Sequence, residues 1–142
     1  MQIVIHEEPN LPTEEFLDLA NAVWPRDYDL VATEAALNRT INIVARAEGR
    51  LVGSLRILTD GYFFGTIPEI LVRPEWQRRG VGRALLAAAW ERSPTGWYFG
   101  AQPGNEAFFE KCGFDRGLQS YSRRKPRGAV PGVADRRVDA TP

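Results

Sequence analysis

The sequence predicts an α/β (α+β) fold: one domain with a mixed, mostly antiparallel twisted sheet of six or seven strands, a central parallel βαβ unit and helices on both faces. Three observations lead there. Two β-rich runs, Ile41–Ala47 and residues 51–58, are separated only by Glu48-Gly49-Arg50, a connection that suits an antiparallel hairpin because glycine tolerates positive φ. Apolar residues recur at helical spacing both before and after these runs. Finally, residues 63–72, a helical stretch from Val81 to about Glu91, and residues 97–101 follow as strand, helix and strand within about forty residues. Such a βαβ unit requires parallel strands and a right-handed crossover.

The remaining elements follow in chain order. Residues 2–6 are rich in β-branched side chains and read as a first strand. Asn10, Pro12 and Thr13 supply helix-start signals, and Phe16, Leu19, Ala20, Val23 and Trp24 mark one buried face until Pro25 ends it. A polar loop with Asp27, Tyr28 and Asp29 leads to a shorter helix over residues 31–38. Pro68, which cannot donate to a ladder, predicts an edge or a bulge inside the strand at residues 63–72. Ser93-Pro94-Thr95-Gly96 breaks the long helix. Residues 106–111 read as a short helix closed by Gly113, and residues 118–123 as a last strand. Residues 1–125 are thus one domain, and residues 126–142, with no aromatic residue and no periodicity, a flexible tail.

Composition narrows the function classes. Eighteen basic and eighteen acidic side chains cancel, so no global field draws the protein to nucleic acid or to a membrane surface. Cys112 is the only cysteine and His6 the only histidine, which speaks against a structural disulfide, a metal centre and a Ser-His-Asp hydrolase. No apolar run approaches the roughly 20 residues of a membrane span, and the first ten residues lack a secretory pattern. The expected location is the cytoplasm, with no metal, no nucleic acid and no membrane among the partners.

The chemistry-bearing stretch is Gln77-Arg78-Arg79-Gly80-Val81-Gly82, between a strand and a helix. A helix start exposes unpaired N–H groups and the positive end of the dipole, and glycines let an anion approach the main chain. Arg78, Arg79 and Arg83 add charge suited to phosphate. The loop is no Walker A sequence, because the Gly-Lys-Ser/Thr ending is absent, and it lacks the third glycine of the dinucleotide fingerprint.

Val72-x-Pro74-x-x-Gln77-x-x-Gly80-x-Gly82 resembles the acetyl-CoA pyrophosphate motif of the GNAT superfamily, and Asn105-x-x-Phe108-Phe109-Glu110-Lys111-Cys112-Gly113-Phe114 is similar to that family's C-terminal segment. The resemblance covers residues 2–124 and implies a GNAT-like domain. It further implies that the strands at residues 63–72 and 97–101 splay apart at their C-terminal ends, with acetyl-CoA as cosubstrate in the opening. The pantetheine arm is then expected along Ile70, Leu71 and Val72, the pyrophosphate at Gln77, Arg78, Arg79, Gly80, Val81, Gly82 and Arg83, and further contacts at Asn105, Phe108 and Phe109. One departure stands out. The family's tyrosine, a proposed proton donor to the leaving thiolate, is matched by Phe109, which has no hydroxyl.

The implied activity is N-acetylation: direct transfer of acetyl to a primary amine, on a small molecule or a peptide, in a ternary complex. The alternative is a catalytically silent CoA-binding or regulatory module. A homodimer is left open. An amine with a pKa of about 10.4 must lose a proton before it attacks a thioester, and the candidate acceptors are Glu69, three residues before Val72, and then Asp60, in the loop that follows residues 51–58. Cys112, His6 and the four tryptophans read as packing or surface residues.

Overall fold

The computed structural model describes residues 2–126; the expected tail lies, apart from Pro126, outside the described residues. Strand β1 (Ile3–Glu7), helices α1 (Thr13–Val23) and α2 (Leu30–Leu37), strands β2 (Ile41–Ala47), β3 (Arg50–Thr59), β4 (Gly65–Thr66) and β5 (Ile70–Val72), and helices α3 (Val81–Arg92) and α4 (Glu106–Lys111) follow in that order. Among the described residues no helix is long and apolar enough to cross a membrane.

The sheet is antiparallel in the order β1-β2-β3-β4, with β5 also on β3. Ala47 faces Arg50 across a two-residue turn in which Glu48 and Gly49 both take positive φ, 50° and 82°. That is the geometry whose twist matches a hairpin, and glycine carries the second position without strain. Strands β2 and β3 are buried along nearly their whole length because helices cover both faces. Leu55 and Ile57 join Val81, Leu85, Leu86 and Ala89 of α3 on one face. Val44, Leu51 and Leu71 join Phe16, Leu19 and Ala20 of α1 and Leu37 of α2 on the other. Trp24, expected on the buried face of α1, is instead 43% exposed.

The strand expected at residues 63–72 is two short pieces. Leu58 pairs with Thr66 in one and Leu55 with Ile70 in the other, so residues 67–69 face only residues 56 and 57. One extra residue is a β-bulge, at the position where Pro68 removes a ladder donor. Two expected strands do not form. Residues 97–101 are irregular and meet the sheet through Tyr98 N–H on the Gly65 carbonyl at 3.0 Å, so the parallel half of the βαβ unit is held at its first residues only. Residues 118–123 are irregular too. Their apolar residues, Leu118 and Tyr121, stand three apart rather than two, are 87% and 92% exposed, and give a strand no face to bury. The strands therefore number five among the described residues.

Candidate active site

The site grows from the free edge of β5. Arg73 N–H donates to the Val52 carbonyl at 2.9 Å, and in an antiparallel ladder the hydrogen-bonded pairs alternate. With Ser54 opposite Leu71 and Gly53 opposite Val72, Leu71 therefore spends its main-chain groups on β3, whereas Ile70 and Val72 turn theirs away from it. Leu71 is also 1% exposed. Of the three strand residues expected to meet a ligand, only Ile70 and Val72 offer backbone groups to the open edge, and Leu71 serves the core.

Beyond β5 the chain turns through Pro74–Trp76, a single 3-10 turn. Gln77 closes the turn: its amide Nε2 donates to the Val72 carbonyl at 3.0 Å, which ties the loop to the end of the strand. Arg78 and Gly80 both have positive φ, 62° and 83°, and Gly80, in the left-handed region, caps α3. Its own carbonyl accepts from Ala84 N–H at 3.0 Å, so the amides of Val81, Gly82 and Arg83 precede the first intrahelical bond and are unpaired in the helix. Val81 itself is buried, with only its amide at the helix start. A Cβ on Gly82 would sit 3.7 Å from the Phe108 ring, which brings the start of α3 and α4 together. Arg79 lies over the Trp76 ring at 5.1 Å; no salt bridge involves Arg78 or Arg83 among the described residues. Asn105 precedes α4 without using its side chain as a cap, which leaves its amide free for a ligand.

Glu69 lies in the bulge. Arg56 grips both its carboxylate oxygens, Nε to Oε2 at 2.5 Å and Nη2 to Oε1 at 2.7 Å, and both side chains are largely shielded from solvent. Each oxygen accepts one guanidinium N–H and keeps capacity for another donor. Asp60 is differently employed: its Oδ1 accepts the amide N–H groups of Tyr62, Phe63 and Phe64 at 2.9, 2.8 and 3.1 Å. Those backbone donors, Tyr62 and Phe64 foremost, hold its pKa below the ordinary aspartate value, which weakens it as a base. Phe109 packs edge-on to Phe99 at 4.8 Å, Phe108 at 5.1 Å and Phe114 at 6.3 Å.

Two residues escape a reading of the sequence. Arg73, 5% exposed, donates to the Leu51 carbonyl at 2.7 Å and to Asp18 at 2.6 Å, fixing the end of β5 to α1. Arg56 is the other; a lone charge within the apolar run LVGSLRILT signals a needed partner but does not name it. Asp29, expected in a polar loop, caps α2 by accepting from Ala32 N–H at 2.7 Å. Two open surface cavities lie elsewhere, one between α1 and α2 and one beside Arg73. Among the described residues no group of His, Cys, Asp and Glu is placed to hold a metal.

The profile of the acetyltransferase (GNAT) domain matches residues 38–116, more than half of the chain, and spans β2 to β5, the glycine loop, α3 and α4. The chain belongs to the GNAT superfamily and is an acyltransferase of that family. A putative GNAT acetyltransferase from Xanthomonas campestris is similar in structure with a TM-score of 0.73 at 21% identity, over 88% of this chain and 94% of that one. An aminoglycoside N-acetyltransferase in complex with CoA superposes with a TM-score of 0.68 at 19% identity, over 87% and 95%. The ribosomal-protein-S18-alanine N-acetyltransferase of Escherichia coli does so with 0.68 at 17%, over 82% and 80%. At these identities the likeness is one of fold. No curated protein matches the sequence.

Proposed function

We propose that this chain moves an acetyl group from acetyl-CoA to a primary amine by direct attack, with both substrates bound at once. The observation that carries the reading is the free edge of β5 running, through the Gln77 clasp, into the unpaired amides at the start of α3. An edge that offers N–H and C=O groups suits an extended amide-bearing arm, and a helix start flanked by unpaired arginines suits a pyrophosphate. Ile70, Val72, Gln77, Gly80, Gly82, Arg78 and Arg83 would hold the cosubstrate, with Asn105 and Phe108 beside it. When bound, it supplies an activated thioester carbonyl.

The chain's own residues do the rest. A main-chain N–H of the bulged strand polarises the carbonyl, the largest kind of contribution in acyl transfer. Glu69, held in one orientation by Arg56, takes the ammonium proton directly or through a water, and the free amine then forms the new C–N bond as the C–S bond breaks. With Phe109 in place of a phenol, the departing thiolate takes its proton from water or from the new product. The test is an amine library with detection of released thiol, beside calorimetry of CoA binding.

A second reading, a silent CoA-binding module, is favoured by two observations: Phe109 is spent on aromatic packing and Glu69 on an ion pair. Specific CoA binding with no thiol release from any amine would select it.

A further inference from the structure

The face of the sheet that carries Arg56 and Glu69 also carries an uncovered apolar shelf. Gly53 looks toward Leu85 and Val81 of α3, and Leu55 and Ile57 pack with that helix. Arg56, between them in the alternation, lies on the opposite face, over the Phe16 ring of α1 at 6.0 Å. Two residues on, Leu58 shares the face with Arg56, its partner Thr66 shares it too, and so does Phe64, two residues before Thr66. Across the opening, Trp97 and Phe99 pack toward α3, which turns Tyr98 the other way, and its ring stacks on Phe64 at 6.1 Å with 8° between the planes. Helices α1 and α2 stop short of this end: Leu58, Phe64 and Tyr98 are 44%, 49% and 64% exposed.

The shelf is preformed. Asp60 gathers the amides of residues 62–64, and Thr59 Oγ1 donates to the Phe64 carbonyl at 2.6 Å. Gly65 is required here, because a Cβ would collide with Thr95 Oγ1 and press on the Gly96 carbonyl. The shelf also sits where the opening closes, at the Tyr98 to Gly65 hydrogen bond, with the bulge and Glu69 next along the chain.

We infer that Leu58, Phe64 and Tyr98 receive the acceptor, and that the acceptor is a primary amine carried on an aromatic or apolar body rather than a polycation. The inference rests on the acetyl-transfer reading and deepens it. Charge decides between the two classes. A polyamine or an aminoglycoside needs several unpaired carboxylates, whereas here Glu69 is matched by Arg56, Asp60 aims Oδ1 into its own loop, and the shelf residues carry no charge. Two stacked, half-exposed rings on the same face as Leu58 instead offer an aromatic or alkyl group the contact it lacks in water.

The experiment uses the full chain, saturating acetyl-CoA, and three probes: 2-phenylethylamine, ethylamine and spermine. The kcat/KM from thiol release should be highest for 2-phenylethylamine. Phe64→Ala and Tyr98→Ala should each lower it about tenfold, the upper end of an aromatic contact, and leave ethylamine and CoA affinity unchanged, while Tyr98→Phe keeps parent behaviour. A preference for spermine, equal losses on both monoamines, or variants that only convert a dimer to a monomer with selectivity intact would overturn the shelf. Product binding separates this inference from the reading beneath it. N-acetyl-2-phenylethylamine should bind the CoA-loaded protein in calorimetry, and about tenfold more weakly to Phe64→Ala. Absence of that binding overturns the shelf whether or not turnover is seen; preserved binding without thiol release from any amine overturns only the catalytic reading.

Discussion

Arg56 reaches from β3 across the bulge to hold both oxygens of Glu69, so the carboxylate that immediately precedes β5 has a fixed orientation. A base that is positioned rather than mobile should matter to the chemical step more than to binding. Glu69→Gln is expected to lower kcat/KM at least about tenfold, the low end of what general base catalysis contributes, with CoA affinity by calorimetry unchanged. Asp60→Asn, which keeps an oxygen to accept the loop amides, should lose far less. The measurement is the pH dependence of kcat/KM for both variants at saturating acetyl-CoA, and equal losses would remove Glu69 from the role.

The glycine loop makes a separate prediction about binding. Gly82→Glu puts a side chain and a negative charge at the mouth of the unpaired amides and should abolish measurable CoA binding in a folded protein. Gly80→Ala tests the backbone instead. At φ 83° an L residue is strained, and the expected cost is about 1 kcal/mol of stability, read from chemical denaturation. Undiminished CoA affinity in folded Gly82→Glu would place the anion site elsewhere.

These two sites differ in how far the sequence exposes them. Gly80, Gly82 and Gln77 form a local motif, and Pro68 marks an edge or a bulge, of which the bulge is found, because each constraint acts within a few residues. The pairing of Arg56 with Glu69 depends on a one-residue slip between β3 and the chain at residues 67–69, and no local pattern specifies register. Residues 97–101 fail in the opposite direction: Trp97 and Phe99 have strong strand propensity, yet beyond the Tyr98 to Gly65 hydrogen bond no ladder forms among the described residues, and both rings pack on the core instead. Trp24 has the helical spacing of a core residue, but it stands at the end of α1, past the last turn that α1 lays on the sheet. Propensity and period are local quantities, and these outcomes were decided by tertiary contacts.

A pH prediction comes from the opposite end of the sheet. Arg46 donates to both oxygens of Glu8, at 2.6 and 2.9 Å, and to Glu15 at 2.9 and 3.1 Å, fastening the end of β1 to β2 and α1. The hydrogen bonds from Arg46, together with a smaller contribution from His6, lower the Glu8 pKa below its ordinary value. A lowered folded-state pKa contributes stability that is present above the unfolded value of about 4.3 and lost as pH falls through the folded value. Glu8→Gln should therefore cost roughly 1.5–3 kcal/mol at neutral pH, the range of hydrogen bonds to charged groups, and almost nothing once the parent carboxyl is protonated. Urea denaturation of both proteins from pH 7 down to the acid limb tests the convergence; a constant difference would assign the loss to packing.

Ser54 gives a prediction of opposite sign. It is fully buried opposite Leu71, and its Oγ has no hydrogen-bond partner among the described residues. Burying an unpaired hydroxyl costs about 1–3 kcal/mol, so Ser54→Ala should raise stability by about 1 kcal/mol, visible as a shift of the urea midpoint at constant slope. A loss would mean that the hydroxyl has a partner, such as an ordered water.

Phe109 stands where a phenol is proposed to protonate the departing thiolate in the family, and its ring is built into the cluster of Phe99, Phe108 and Phe114. Adding a hydroxyl there puts a polar group at the edge of a cluster made of phenylalanine rings, none of which can accept a hydrogen bond through an oxygen or nitrogen atom. The chemical gain should be small as well. A thiolate with a reference pKa of about 8.5 is a good leaving group, and a phenol near 10 is no stronger an acid than the ammonium formed in the same step. Phe109→Tyr is therefore expected to change kcat by less than about threefold between pH 6 and 9, whereas Phe109→Ala should lower stability by about 3 kcal/mol, at the low end for a buried ring because this one is only partly covered. Measuring kcat and CoA affinity separately for both variants distinguishes lost chemistry from lost binding. A rise in kcat above about tenfold for the tyrosine variant, at unchanged affinity, would show that proton delivery to sulfur limits the parent, and would move the balance toward a protein selected for holding CoA rather than for turning it over.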